Sequence, residues 1–277
     1  MKEPPLLSRL KRFSKTPLLV VGDLMVDHYI RGRVDRLSPE APVPVVEITT
    51  EEFMPGGAGN VAANIAALGG VPLLVSVVGE DNPGEMLLST LRGQGVDVDG
   101  VGKDGSRPTI IKTRVIAGHQ QVVRFDRENR APLGREVIDL LVAQVERHIR
   151  NVQGIVLSDY GKGVINGRLL ARVLSLARRY QKSVTVDPKV EHFLRYRGVT
   201  CITPNLKEAA EGVRALPPKT DREVDALGKR ILKRLRCQSV LITRGERGMS
   251  LYQSSGNIVH IPSQAHEVYD VTGAGDT

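Results

Sequence analysis

Pro17-Leu18-Leu19-Val20-Val21-Gly22-Asp23 is an unbroken apolar run closed by a glycine and an acid. A short run with no polar alternation, cut off by turn residues, reads as a strand buried on both faces. Working outward, residues 57–68 have helical spacing, with Val61, Ile65 and Leu68 on one face. Residues 73–78 repeat the buried-strand pattern, and 83–92 form a second helix opened by Pro83. Helices are predicted near 135–149 and 168–180 and over 221–235, with strands at 154–157, 183–186 and 239–243. Such alternation predicts a doubly wound, mainly parallel α/β sheet with crossover helices. No internal repeat or low-complexity linker divides the chain, so residues 1–277 read as one unit.

Two segments break the alternation. Residues 28–49 and 107–126 are rich in Val, Ile and Thr with no crossover helix between them, and Ala117-Gly118-His119-Gln120 reads as a hairpin turn. They are either a small β-structure projecting from the main sheet or edge strands of that sheet.

Composition narrows the function classes. Lys and Arg (39) exceed Asp and Glu (31), a net charge of +8 that favours anionic partners, either phosphorylated small molecules or nucleic acid. The absence of Trp, with only 4 Phe and 6 Tyr, leaves little for base stacking, so nucleic acid is not expected. Basic clusters such as Arg178-Arg179 and Lys229-Arg230 read as solvated helix faces. Two cysteines, Cys201 and Cys237, make no disulfide framework, which suits a reducing cytoplasm. No apolar run approaches the ~20 residues of a membrane helix, so no membrane insertion is expected.

The chemistry concentrates in a few short motifs. In Asp270-Val271-Thr272-Gly273-Ala274-Gly275-Asp276-Thr277, the small residues Gly273, Ala274 and Gly275 would let backbone N–H groups approach an anion. Asp276 would repel phosphate, and so fits a base taking a proton from an attacking hydroxyl. Pro55-Gly56-Gly57-Ala58-Gly59-Asn60 precedes a helix carrying Asn64; it is neither a dinucleotide fingerprint nor a P-loop. Glycine backbone with an amide side chain suits a polyol, though a plain strand-to-helix turn would look the same. Asp23 and Asp27 follow the first strand, where ligands collect in open α/β sheets; either could instead cap a turn. Asn205 and Glu208 have the spacing of an ordinary helix capping box, and could equally face phosphates and hold a Mg²⁺ shell through water.

In this order, the glycine turn, Asn205–Glu208, Thr243-Arg244-Gly245 and the terminal run resemble the ribokinase-like (PfkB-type) carbohydrate kinases. Leu37-Ser38-Pro39-Glu40-Ala41-Pro42-Val43-Pro44-Val45-Val46 and Ser158-Asp159-Tyr160-Gly161-Lys162-Gly163 are similar to one branch, the D-glycero-β-D-manno-heptose-7-phosphate kinases. The likeness runs from about Leu18 to Thr277.

The resemblance implies a β lid formed by 28–49 and 107–126, often also a dimer interface. It implies Asp276 as the base on the anomeric hydroxyl of heptose 7-phosphate, with Gly273–Gly275 as the anion hole. Asp27, Gly56, Gly57, Asn60, Lys112, Arg124, Asp159 and Lys162 fall on the substrate side. Asn205, Glu208, Lys189, Thr243 and Gly245 fall on the Mg-ATP side, Glu208 meeting Mg²⁺ through water. The distal phosphate calls for cations, with Lys112, Arg114, Arg124, Lys162 and Lys189 as candidates. Asp187 ends a strand and should face the site. By the resemblance, relatives continue past Thr277 with helices that complete the fold, so weak or absent turnover is expected of this chain alone. A kinase of another sugar or sugar phosphate, or a non-catalytic binding remnant, are the competing expectations. The branch more often has Ala where Gly59 stands, which should only loosen the helix start.

Overall fold

The computed structural model describes residues 13–118 and 120–263. The first strand, β1 (Pro17–Gly22), lies in the middle of a nine-stranded sheet. It is parallel to β4 (Val71–Gly79) on one side and β8 (Gly154–Ser158) on the other. Beyond β4 lies β5 (Asp97–Asp104); beyond β8 come β9 (Ser183–Asp187), β10 (Cys201–Ile202) and β11 (Ser239–Thr243), all parallel. An antiparallel hairpin, β12 (Met249–Gln253) and β13 (Ile258–Ile261), closes that edge.

Strand β1 shows why the run is apolar throughout. Leu19 and Val21 enter one core with α3 (Arg135–His148) and α4 (Gly167–Arg179). Val20, facing the other way, packs with α1 (Ala58–Ala67) and α2 (Asn82–Gly93). Helix α2 begins where Asp81 accepts a hydrogen bond from the Gly84 N–H at 3.1 Å with Pro83 in its first turn, so proline's missing donor costs nothing. Helices α5 (Leu206–Gly212) and α6 (Asp221–Leu235) both start with reciprocal capping boxes, Asn205 with Glu208 and Thr220 with Glu223.

The two irregular segments form a sheet of their own, settling the alternative left open by their pattern. Its four strands run in the order β3 (Pro44–Gly57), β2 (Leu24–Leu37), β6 (Ile111–Ala117) and β7 (Gln120–Arg127). The strands exceed the predicted 28–49 at both ends, and the second pair starts at Ile111, not at 107. Gly56 and Gly57 therefore finish β3, opposite Met25 and Leu24, and are not a free turn before the helix.

Candidate active site

Strand order reverses at β1, which has β4 on one side and β8 on the other. Open α/β sheets bind ligands at such switch points. Chain approach there is close: a Cβ on Gly22 would overlap the Ser158 carbonyl oxygen.

Two buried carboxylates shape the loop that follows β8. Asp23, fully buried, accepts the N–H groups of Tyr160 (2.9 Å), Lys162 (3.0 Å) and Val164 (3.0 Å). Burial pushes its carboxyl above the ordinary range; the three N–H groups oppose that rise and neighbouring Asp159 adds to it. Asp159 accepts from the Gly161 N–H at 2.8 Å, lies 2.6 Å from His192 Nδ1, and accepts from the Tyr196 hydroxyl. Burial, together with Asp159, pushes the Tyr196 phenol up. Asp23 and Asp159 are thus loop templates, a role larger than a turn cap. His192 and Tyr196 were not anticipated; their four-residue spacing after Lys189 is the only hint the sequence carries.

The small sheet brings its charged face to this loop. Register places Asp27 beside Lys112, which opposes Asp126, and Tyr29 beside Arg114, which opposes Arg124. Alternation along a strand then puts all six side chains on one face. Most of these charges are paired. Asp27 accepts from Arg114 at 2.5 Å, Arg124 forms a two-bond fork with Asp126 (2.9 Å for Nε), and Lys162 pairs with Glu128. Lys112 is the exception: among the described residues no carboxylate lies within ion-pair distance of its amine, which sits 5.1 Å from the centre of the Tyr160 ring. Burial lowers its pKa, and Lys162, Arg124 and Arg114 lower it further against the pull of Asp27. A half-buried ammonium without a direct ion pair is a ready partner for an incoming anion.

Glycines let the remaining parts converge. A Cβ on Gly56 would overlap the Asp27 carboxylate, and Gly57 has φ 58° and ψ −130°, where a Cβ would overlap the Asp23 carbonyl oxygen and touch Tyr160. Asn60 lies in the first turn of α1, half-buried, with Asn64 one turn on.

The predicted nucleotide side lies along the next carboxyl ends. Asn205 bridges to Thr243, whose N–H donates to the Pro204 carbonyl at 3.0 Å. Within the capping box Glu208 Oε2 accepts from the Asn205 N–H at 3.1 Å. Burial raises the Glu208 pKa while Lys189 lowers it. The Lys189 stem also runs past Gly161, so this lysine lies between the two sides. Gly245, exposed with φ 60°, opens the turn after β11, whereas Arg244 turns away to Asp221 and Ser250. Asp187 contributes its carbonyl to the Asp159 N–H at 3.1 Å. The predicted base Asp276 and anion hole Gly273, Ala274 and Gly275 lie outside the described residues. No group of three or more His, Cys, Asp or Glu able to hold a metal occurs among the described residues, and no helix there is long and apolar enough to cross a membrane.

The same fold and segments recur in known proteins. Escherichia coli phosphofructokinase-2, in its tetrameric inhibited form, superposes with a TM-score of 0.77 at 22% identity, covering 95% of this chain and 84% of that one. An Arabidopsis thaliana ribokinase complexed with ribose and ATP gives 0.70 at 20%, covering 95% and 83%. Closer in sequence are two proteins named Bifunctional protein HldE. The one from Geobacter sulfurreducens is 48% identical over 263 residues, covering 94% of this chain and 53% of the relative. The one from Rhodospirillum rubrum is 44% identical over 275 residues, covering 99% and 55%. This chain spans about half the length of these relatives. With residues 15–277 also matching the family model described as pfkB family carbohydrate kinase, the chain belongs to that family of sugar kinases.

Proposed function

We propose that this chain transfers the γ-phosphoryl group of ATP to the anomeric hydroxyl of D-glycero-β-D-manno-heptose 7-phosphate, giving the 1,7-bisphosphate used for ADP-heptose and lipopolysaccharide core synthesis. The observation that carries this reading is the charged face of the small sheet, where Asp27 is fixed by Arg114 beside the unpaired Lys112. Asp27 offers an acceptor to sugar hydroxyls, and Lys112 a cation to the distal phosphate. Arg124 and Lys162, already held by Asp126 and Glu128, shape the field around it. Asp276 takes the hydroxyl proton as the sugar oxygen bonds to the γ-phosphorus and the bond to the ADP oxygen breaks, the Gly273–Gly275 amides facing the transferring group. Mg²⁺ would neutralise charge on the ATP phosphates. The half-buried Glu208 carboxylate fits a contact to it through water, which a cation that keeps several waters favours. In this reading the small sheet closes on the sugar as a lid that excludes water. Its outward face carries exposed Phe53, Val123 and Phe125, and would pair with a second copy. The activity belongs in the cytoplasm, where ATP is supplied.

The test is steady-state kinetics of Lys112→Met and Asp276→Asn with Mg-ATP. Lys112→Met should raise KM for heptose 7-phosphate at least ~30-fold, the loss of one charge-assisted contact of ~2 kcal/mol, and leave KM for ATP within about 2-fold. Asp276→Asn should lower kcat at least ~100-fold. Unphosphorylated heptose or fructose 6-phosphate turning over as well as heptose 7-phosphate would overturn the substrate assignment.

A further inference from the structure

A second concave site lies at the amino ends of the strands, away from the switch point. The last turn of α4, the turn into β9 and the segment leading to β10 flank an open cleft of about 270 Å³. Arg178, Lys182 and Arg197 line it, with Ser183, Thr200 and Gln238 as further polar groups, and no carboxylate is among its walls. Its floor is partly apolar, from Leu174, Ala177 and Val184.

Arg178 and Arg197 are exposed and without an ion pair among the described residues, unlike two arginines earlier on the same helix. On the same helix, Arg168 pairs with Asp139 and Arg172 with Glu146 at 2.6 Å. Among the described residues, neither Arg178 nor Arg197 has a carboxylate within the 4.0 Å of an ion pair. Lys182 spends one donor on the Arg150 carbonyl at 3.2 Å, which does not neutralise it. The helix dipole accounts for a cation at the C-terminus of α4. It does not account for Arg197, which lies outside any helix and converges on the same cleft. Left-handed backbone at Gln181 (φ 51°) and Gly198 (φ 77°) turns the two flanking segments so that these side chains meet.

We propose that this cleft binds a small phosphorylated compound bearing at least two negative charges. Two guanidinium forks and an ammonium match several phosphate oxygens. The cleft opens to solvent, and its volume of about 270 Å³ suits a molecule the size of a pyrophosphate or a sugar bisphosphate. Ser183, Thr200 and Gln238 supply hydrogen bonds to a polar body. This site stands apart from the kinase reading and needs none of its residues.

The probe is pyrophosphate, titrated calorimetrically into the protein saturated with a non-hydrolysable ATP analogue, so that the nucleotide side is filled. Ionic strength is held constant with sodium chloride. One equivalent should bind, at least 10-fold more weakly in the double variant Arg178→Ser/Arg197→Ser and unchanged in Lys112→Met. Arg197→Gln alone should weaken binding several-fold, a check that does not depend on the double variant's stability. No binding once the nucleotide is present, equal binding by the Arg variants, or heat that disappears at constant ionic strength would each overturn the proposal.

Discussion

Replacing Gly57 by alanine and Gly59 by alanine should have very different consequences, although the two lie two residues apart. Gly57 has φ 58° and ψ −130°, a combination that L-residues avoid. A Cβ there would overlap the Asp23 carbonyl oxygen and come within 2.8 Å of Met25 Cε. The carbonyl is backbone and is held by the Ala58 N–H at 2.9 Å, so it cannot retreat without losing that bond. Backbone strain of ~1–3 kcal/mol and a lost hydrogen bond of ~1 kcal/mol total about 2–4 kcal/mol. For a chain of this size, that is a fall in Tm of ~4–16 °C. Gly59 is within α1 and buried, and its Cβ would come 2.7 Å from Leu24 Cδ1 and 3.2 Å from Pro55 Cβ. A side-chain end can shift by a few tenths of an ångström. Alanine there also gains ~1 kcal/mol of helix propensity, so the net change should stay within about 1 kcal/mol.

Thermal unfolding followed by circular dichroism at one protein concentration measures both variants. Gly57→Ala should also raise KM for the sugar substrate more than KM for ATP, because Gly57 joins the small sheet to Asp23 and the loop it templates. A Tm for Gly57→Ala within 2 °C of the unaltered protein would refute the reasoning. So would a larger fall for Gly59→Ala than for Gly57→Ala.

Three other predictions concern charge and assembly. Burial holds the Lys112 pKa below the usual lysine value, so its amine is neutral over a pH range in which exposed lysines are still protonated. In a brief acylation at about pH 8.5, below the ~10.4 of a free lysine, Lys112 should react ahead of exposed lysines in a mass-spectrometric map. The sugar phosphate should protect it by restoring the charge; labelling no faster than at exposed lysines would contradict this. Glu208→Gln keeps an oxygen for the Asn205 N–H, so Tm should move by less than ~2 °C while half-saturating Mg²⁺ rises about 10-fold; an unchanged Mg²⁺ requirement would remove Glu208 from the metal's surroundings. Phe125→Glu places a charge on the outward face of the small sheet, where Phe125 is 55% exposed, and should convert a dimer to a monomer in analytical ultracentrifugation. A dimer that survives it would assign the interface elsewhere.

The alternation of buried strands and crossover helices was legible because hydrophobic burial writes it directly into local sequence. What escaped had a weak local signal. Strand β5 fills its buried positions with Val98, Gly100, Gly102 and Asp104, so the apolar period fades halfway along. Strand β10 has only two residues, and the β12–β13 hairpin follows the last predicted strand. The four strands of the small sheet were readable as strands but not as a separate sheet, since an apolar pattern does not say which neighbour a strand takes. That choice rests on Leu24–Leu37 continuing past the sheet edge and pairing with β3 along its length.

The candidate site divides in the same way. Glycines, acids and lysines stood out in short motifs, but their partners lie far off: Arg114 is 87 residues from Asp27, and Glu128 is 34 from Lys162. Spacing along the chain could nominate five cations for one phosphate and not choose among them. In the proposed reading the choice among them goes by elimination. Arg114, Arg124 and Lys162 each meet a carboxylate once the strands are in register. Lys189 interacts with Glu208, and Lys112, near Asp27 and over the Tyr160 ring, is left without an ion pair among the described residues. A residue's chemistry is written locally, whereas its availability depends on which opposite charges the fold has already brought to its neighbours. This is why Lys112 is the first position to alter when the substrate is in question.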